Sequence, residues 1–221
     1  MFILHLETST KVCSVALSQD GECIALKESN TDDYQHAEQL TIFIQDVLTQ
    51  SSLTLKQLNA VSVSSGPGSY TGLRIGVSTA KGLCYALEIP LISVDSLYAL
   101  AKVGSETYPD KQLCAMIDAR RMEVYSAIYS PDMGAVKSIS ADILDEDSYS
   151  EFGPMICIGD GVGKIKELWK GTQRFIDEQI VCSARGQIDL AYEKMKREEF
   201  EDVAYFEPFY LKDFVLNTRK I

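Results

Sequence analysis

The chain has 221 residues, 46% hydrophobic and 24% charged, which is the balance of a globular protein long enough to bury a sizeable core. Its net charge of −11 argues against unaided binding to a polyphosphate chain, because such binding rests on Lys and Arg displacing counterions. The apolar runs are strand length, far short of the roughly 20 residues that span a bilayer. The opening MFILHLETST has neither a basic region nor a small-residue cleavage site, so no membrane association and a cytoplasmic location are expected.

Taken in order, FILHLETS reads as a strand. KVCSVALSQDGECIALKES reads as a β-hairpin about the Asp20-Gly21 turn. That turn sets Ser18 opposite Cys23 and Glu28 opposite Cys13, which separates the two thiols too far for a disulfide. The six cysteines contain no C-x-x-C pair and are expected as buried apolar residues. A helix follows over about 34–51, with Ala37, Leu40, Ile44, Val47 and Leu48 on one face and Asp32 or Asp33 as its cap. AVSVSSG is a strand, and residues 71–88 form a second helix with Leu73, Val77, Ala80, Cys84 and Leu87 in one stripe. IPLISV is a further strand, and DSLYALAKV a short helix capped by Asp95.

A polar stretch at 104–112 marks a boundary, and the pattern then partly repeats. LCAMIDA reads as a strand, and MEVYSAIYS with AVKSISA as a hairpin. Residues 145–151 look helix-like and polar, MICIGDG is a strand, VGKIKELW looks helical, and 183–200 is a charged amphipathic helix. The repeat indicates an α/β protein of two duplicated halves, 1–105 and 106–221, with an aromatic tail that packs back on the first half.

Between strand and helix lies SSGPGSYTGLRIG. It lacks the Lys of a P-loop, and its third glycine is displaced by one residue from the Rossmann spacing. Pro67 also removes a backbone N–H from any phosphate cradle. Two readings stay open. Gly66 and Gly68 can present N–H groups to a small anion at the helix start. Gly72 and Gly76, four apart on one helical face, can instead admit the close approach of another helix or strand. Arg120 and Arg121 likewise stand either as phosphate contacts or as a solvated or salt-bridged pair. His5, inside a strand, reads as a packing residue, and His36 as a surface or interface residue.

The block SSGPGSYTGLRIGVSTAKGLCYALEIPLISVDSLYALA closely resembles the TsaB (YeaZ) family of tRNA threonylcarbamoyladenosine biosynthesis. ILHLETST, HAEQL, DARRMEVYSAIY, IGDG and EPFYLKD follow in the family's order and extend the resemblance along nearly the whole chain. It implies an actin-like fold of the sugar-kinase and Hsp70 type with two duplicated lobes. It also implies a non-catalytic subunit that pairs with a TsaD-like catalytic subunit and a TsaE-like ATPase. That complex moves a threonylcarbamoyl group to N6 of adenosine 37, and tRNA is met only through the complex.

No cofactor is expected on this chain alone, with ATP or ADP and metal residing on the partner subunits. The resemblance places the partner contact, and a homodimer contact when the chain is alone, on the first two helices. The residues so implicated are His36, Leu40, Ile44, Val47, Tyr70, Gly72, Leu73, Gly76, Val77 and Ala80. Glu7, Thr8, Ser9, Gly66 and Gly68 are the candidate anion or nucleotide site, although nucleotide-binding members of the fold carry Asp where Glu7 stands. The alternatives within the fold are a glycoprotease-like metallopeptidase and a small-molecule kinase. Against the former, the metal-binding His-x-x-x-His of the catalytic relative aligns with Ser96 and Leu100.

Overall fold

A computed structural model describes residues 1–30, 36–166, 168–170 and 174–212. Two five-stranded mixed sheets carry the fold. The first contains β1 (Phe2–Glu7), β2 (Val12–Gln19), β3 (Glu22–Asn30), β4 (Ala60–Gly66) and β5 (Leu91–Asp95), in the order β3-β2-β1-β4-β5. The second contains β6 (Leu113–Asp118), β7 (Glu123–Tyr129), β8 (Ala135–Ile143), β9 (Met155–Ile158) and β10 (Arg174–Asp177), in the order β8-β7-β6-β9-β10. Read in those orders, each sheet pairs antiparallel twice and then parallel twice. The duplication expected from the sequence is therefore one of topology.

The Asp20-Gly21 hairpin forms, with both residues at positive φ. Ser18 lies opposite Cys23 as expected, but Leu17 pairs with Ala25, so Ile24 is an extra residue in a β-bulge. The bulge slides Cys13 opposite Ser29 rather than Glu28. All six cysteines are free; five are buried, and Cys23 is exposed on the outer strand β3.

The helices are α1 (His36–Gln50), α2 (Tyr70–Leu87), α3 (Ser96–Thr107) and α4 (Ile188–Lys196). The expected cap at Asp32 or Asp33 lies outside the described residues. Ser69 caps α2, its Oγ accepting the Gly72 N–H at 3.3 Å. α1 and α2 cover one face of the first sheet, setting Leu40, Ile44, Val47, Val77, Ala80 and Cys84 against Leu4, Leu6, Val61 and Val63.

The second half carries less helix than its sequence pattern implies. Residues 150–152 and 162–164 form single 3-10 turns, and the helix expected over 183–200 is a 3-10 turn, Ala184–Gln187, followed by α4. β10 was not expected. Its RFID sequence is too short to show a period.

The halves exchange their closing helices. α3 packs Leu97, Leu100 and Ala101 against Leu113, Ala115 and Ile117 of the second sheet. α4 places Ala191 against Ile3, Ala60 and Ile92 of the first. The chain then returns along the first sheet. Glu201 bridges Leu91, Lys81 Nζ donates to the carbonyls of Ala204 and Phe206 at 3.1 and 2.9 Å, and the Phe209 N–H donates to Ser65 O at 2.7 Å.

Asp95 caps α3 by accepting the Tyr98 N–H at 2.8 Å, yet burial pushes its carboxyl up to about 6, against the lowering effect of its backbone hydrogen bonds. Stability from a raised acid is full below its ordinary value near 4 and is lost as pH climbs through about 6. Asp95→Asn keeps a cap acceptor and removes the buried charge. The difference in unfolding free energy between variant and wild type is expected to grow in favour of Asn by on the order of 2–3 kcal/mol from pH 4 to pH 8. Equal pH profiles in urea titrations would contradict this.

Candidate functional site

The loop after β1 holds Thr8 and Ser9 of the candidate anion or nucleotide site, directly after Glu7, so the state of its polar groups is decisive. Glu7, Thr8 and Ser9 are fully buried. The Glu7 carboxylate accepts the Ser9 N–H at 2.7 Å and the Ser64 hydroxyl. Burial pushes this carboxyl up, and the hydrogen bonds from Ser64 and Ser9 oppose the rise. Gln187, at the entry to α4, completes the network. Its Nε2 donates to Leu6 O and Ser64 Oγ, both at 2.9 Å, and its Oε1 accepts from Ser62 Oγ at 2.7 Å. Nothing in the sequence near Gln187 signals this role, because its partners lie more than 120 residues away.

The glycine loop is likewise committed to its own chain. The Ser69 N–H donates to Ser9 O at 2.6 Å, the Gly72 N–H to Ser69 Oγ, and the Gly66 N–H to Ser96 Oγ at 3.2 Å. Three donors that could greet an anion at the start of α2 are thus used internally. The glycines explain the closeness. A Cβ on Gly68 would collide with Ser9 O, one on Gly72 with Thr8 O, and one on Gly76 with the Thr8 hydroxyl. Thr8 Oγ1 donates to Gly72 O at 2.8 Å. The close approach expected of Gly72 and Gly76 is real, but the approaching segment is the chain's own first loop and not a partner's helix. Gly66, at φ +110°, also lies against the Phe209 carbonyl.

The expected interface residues are placed similarly. Leu40, Ile44, Val47, Leu73, Val77 and Ala80 are buried in the first half's own core, as are Gly72 and Gly76. Their stripe faces the sheet, because a helix lying on a sheet spends its apolar face there first. His36 is buried too, and its Nε2 shares a 2.8 Å hydrogen bond with Thr10 O, pinning α1 to the first loop. Burial lowers its pKa, opposed by that bond. Tyr70 alone of the set reaches the surface, 5.0 Å from the Tyr210 ring centroid.

What α1 and α2 present outward is a different set. Ile42 is 56% exposed and Tyr85 82% exposed, with Thr41, Gln45, Ser78 and Gly82 around them. The available signal was Ile42, an apolar residue off the helix's buried stripe. Of the two positions aligned with metal ligands, Ser96 is used on Gly66 and Leu100 sits in the second-sheet core. Among the described residues no group of three or more His, Cys, Asp or Glu is placed to hold a metal ion, and no helix is long and apolar enough to cross a membrane.

Comparison with known proteins agrees with this architecture. The family model for TsaD, tRNA N6-adenosine threonylcarbamoyltransferase, matches residues 32–151. The tRNA threonylcarbamoyladenosine biosynthesis protein TsaB of Escherichia coli is 30% identical over 97% of this chain and 96% of its own length. YeaZ from Pseudomonas aeruginosa superposes with a TM-score of 0.84 at 27% identity, covering 95% of this chain and 99% of that one. A dehydratase activator from Clostridium difficile, solved with bound ADPNP, shares only the fold, at a TM-score of 0.52 and 8% identity over 91% of this chain and 99% of that one. With two duplicated actin-like lobes and similarity along its whole length, the chain belongs to the TsaB family of tRNA threonylcarbamoyladenosine biosynthesis proteins.

Proposed function

We propose that this chain is a non-catalytic accessory subunit that holds and activates a TsaD-like catalytic subunit for threonylcarbamoyl transfer to tRNA. The observation that carries the reading is the commitment of the first-loop site. Glu7, Thr8 and Ser9 are sealed from solvent, and the N–H groups of Gly66, Ser69 and Gly72 are bonded within the chain. A kinase or ATPase of this fold needs those groups free for phosphate. ATP or ADP and metal then belong to the partner subunits, including a TsaE-like ATPase, in the cytoplasm where tRNA is processed.

The contact with the TsaD-like subunit is assigned to the outward faces of α1 and α2 around Ile42 and Tyr85, in place of the buried stripe. An exposed aromatic and an exposed aliphatic on neighbouring helices are the residue types that anchor interfaces. The same faces would join two copies when the partner is absent. Ile42→Glu with Tyr85→Glu is expected to weaken association with the TsaD-like subunit at least about ten-fold by calorimetry, with the thermal midpoint of the isolated chain little changed. The functional test is threonylcarbamoylation by the reconstituted subunits with and without this chain. Equal modification by the TsaD-like subunit alone would remove the accessory role.

A further inference from the structure

We propose that this chain itself contacts the tRNA sugar-phosphate backbone, through a basic and aromatic ridge that joins its two halves. The proposal rests on the family's role in tRNA modification and adds a direct RNA contact to it. The ridge begins at the first turn of α2, where the Arg74 guanidinium lies 4.1 Å over the Tyr70 ring and its Nε donates to Tyr210 Oη at 3.3 Å. It continues through Tyr210 and, two residues on, Lys212, whose ammonium meets Glu123 at the start of β7. It ends at the β6–β7 turn on Arg120 and Arg121.

Charge singles out this ridge. Acids outnumber bases 32 to 21 in the chain, so a carboxylate partner is easily found. Yet among the described residues neither Arg120 nor Arg121 has a side-chain hydrogen bond or ion pair, and both are exposed. Arg74 is held by tyrosines and among the described residues has no carboxylate within ion-pair distance, although Glu207 lies near enough to favour its charge. The local acids are already used: Asp118 pairs with Lys164 at 2.8 Å and Glu123 with Lys212.

The backbone points the same way. Arg120 and Arg121 are both left-handed, at φ +69° and +52°, in the four-residue connection from β6 to β7, a backbone conformation that Gly and Asn adopt more readily than Arg. Two arginines there run against local preference, and backbone strain of that kind gathers at functional sites. Guanidinium groups bridging to phosphate, with tyrosine faces interleaved, match the backbone and unstacked bases of RNA better than they match an acidic protein surface. A net charge of −11 repels RNA on average, so a direct contact needs a local basic surface such as this ridge.

The test is the double variant Arg120→Asn with Arg121→Gly, which removes both cations and supplies residues that accept left-handed backbone. Its thermal midpoint should equal or exceed that of wild type by a few degrees. In the complex reconstituted with the TsaD-like and TsaE-like subunits, the KM for unmodified tRNA should rise roughly ten-fold. The dependence of log KM on log salt should become shallower by about one to two. Calorimetric affinity for the TsaD-like subunit should stay the same. Unchanged KM and salt slope would overturn the proposal, and so would weakened affinity for either protein subunit, which would assign the ridge to an acidic protein face. If wild-type chain fails to stimulate modification, the accessory reading fails separately. The ridge is then decided by anisotropy of labelled tRNA with the chain alone at low salt, where wild type should bind and the double variant should bind at least several-fold more weakly.

Discussion

Gly72→Ala is expected to lower the thermal midpoint by roughly 6–12 °C, whereas Gly82→Ala, later in the same helix, should raise it by about 2–4 °C. Both substitutions give the helix the same gain in intrinsic propensity, close to 1 kcal/mol. They differ in what the new methyl group meets. At Gly82 nothing lies within 4 Å, so the gain is realised. At Gly72 the methyl would fall on the carbonyl oxygen of Thr8, which is backbone held by the first strand and cannot swing aside. Relieving that collision means lifting α2 from the first loop, which also breaks the Thr8 to Gly72 hydrogen bond and the Ser69 to Ser9 hydrogen bond. Overpacking of this kind costs about 3 kcal/mol or more. Differential scanning calorimetry of the two variants decides it. Comparable midpoints would show that the helix does not need the gap.

The second large effect concerns acid. His5 is fully buried in β1, and desolvation lowers its pKa to about 3. One nitrogen shares a 2.8 Å hydrogen bond with Ser18 Oγ, and Nδ1 has no partner among the described residues. A histidine whose folded value lies below 6.5 contributes stability that is full above 6.5 and is lost as pH falls toward 3. Over that window the loss is on the order of 5 kcal/mol, a large part of the stability of a typical domain. His5→Leu removes the titration, and the Ser18 hydroxyl retains a contact to the Ile3 carbonyl at 3.5 Å. The variant should match wild type within about 1–2 kcal/mol at pH 7.5 and exceed it increasingly at pH 5 and pH 4. Asp95 and Glu7 titrate with the opposite sign in both proteins, so they cancel in the difference. Parallel urea-derived stability curves from pH 7.5 to pH 4 would show that His5 is not buried in its neutral form.

Local chemistry made much of the fold legible. Asp20-Gly21, the stripe through Leu73, Val77, Ala80 and Cys84, and the Asp95 cap each act within a few residues, and each appears where its pattern places it. The Ile24 bulge did not show, because the extra residue leaves the hairpin's apolar alternation nearly intact. The site was less legible for a physical reason. A buried helix stripe and a partner-binding stripe have the same period, so Leu40, Ile44 and Val77 could not reveal which surface they met. The same limit held for Gly72 and Gly76. Their spacing signals a close neighbour, but Thr8 is 64 residues away in sequence. Arg120 and Arg121 could be read as a basic pair from the sequence. Their left-handed backbone, the Arg74 to Tyr210 contact and the pairing of Lys212 with Glu123 at the start of β7 required the tertiary structure.

The exchange of α3 and α4 between the halves has a consequence during synthesis. The inner face of the first sheet carries His5, Glu7 and Ser62, and Gln187 is bonded to Ser62 across 125 residues. At ribosomal speeds of about 5–20 residues per second, Ser62 waits roughly 6–25 seconds for the segment that seals it. In that interval a nascent chain exposes polar strand faces and the apolar surface of α3 together, the kind of surface that holdase chaperones retain. The chain should therefore become protease-resistant late, once α4 has cleared the exit tunnel, and in one step.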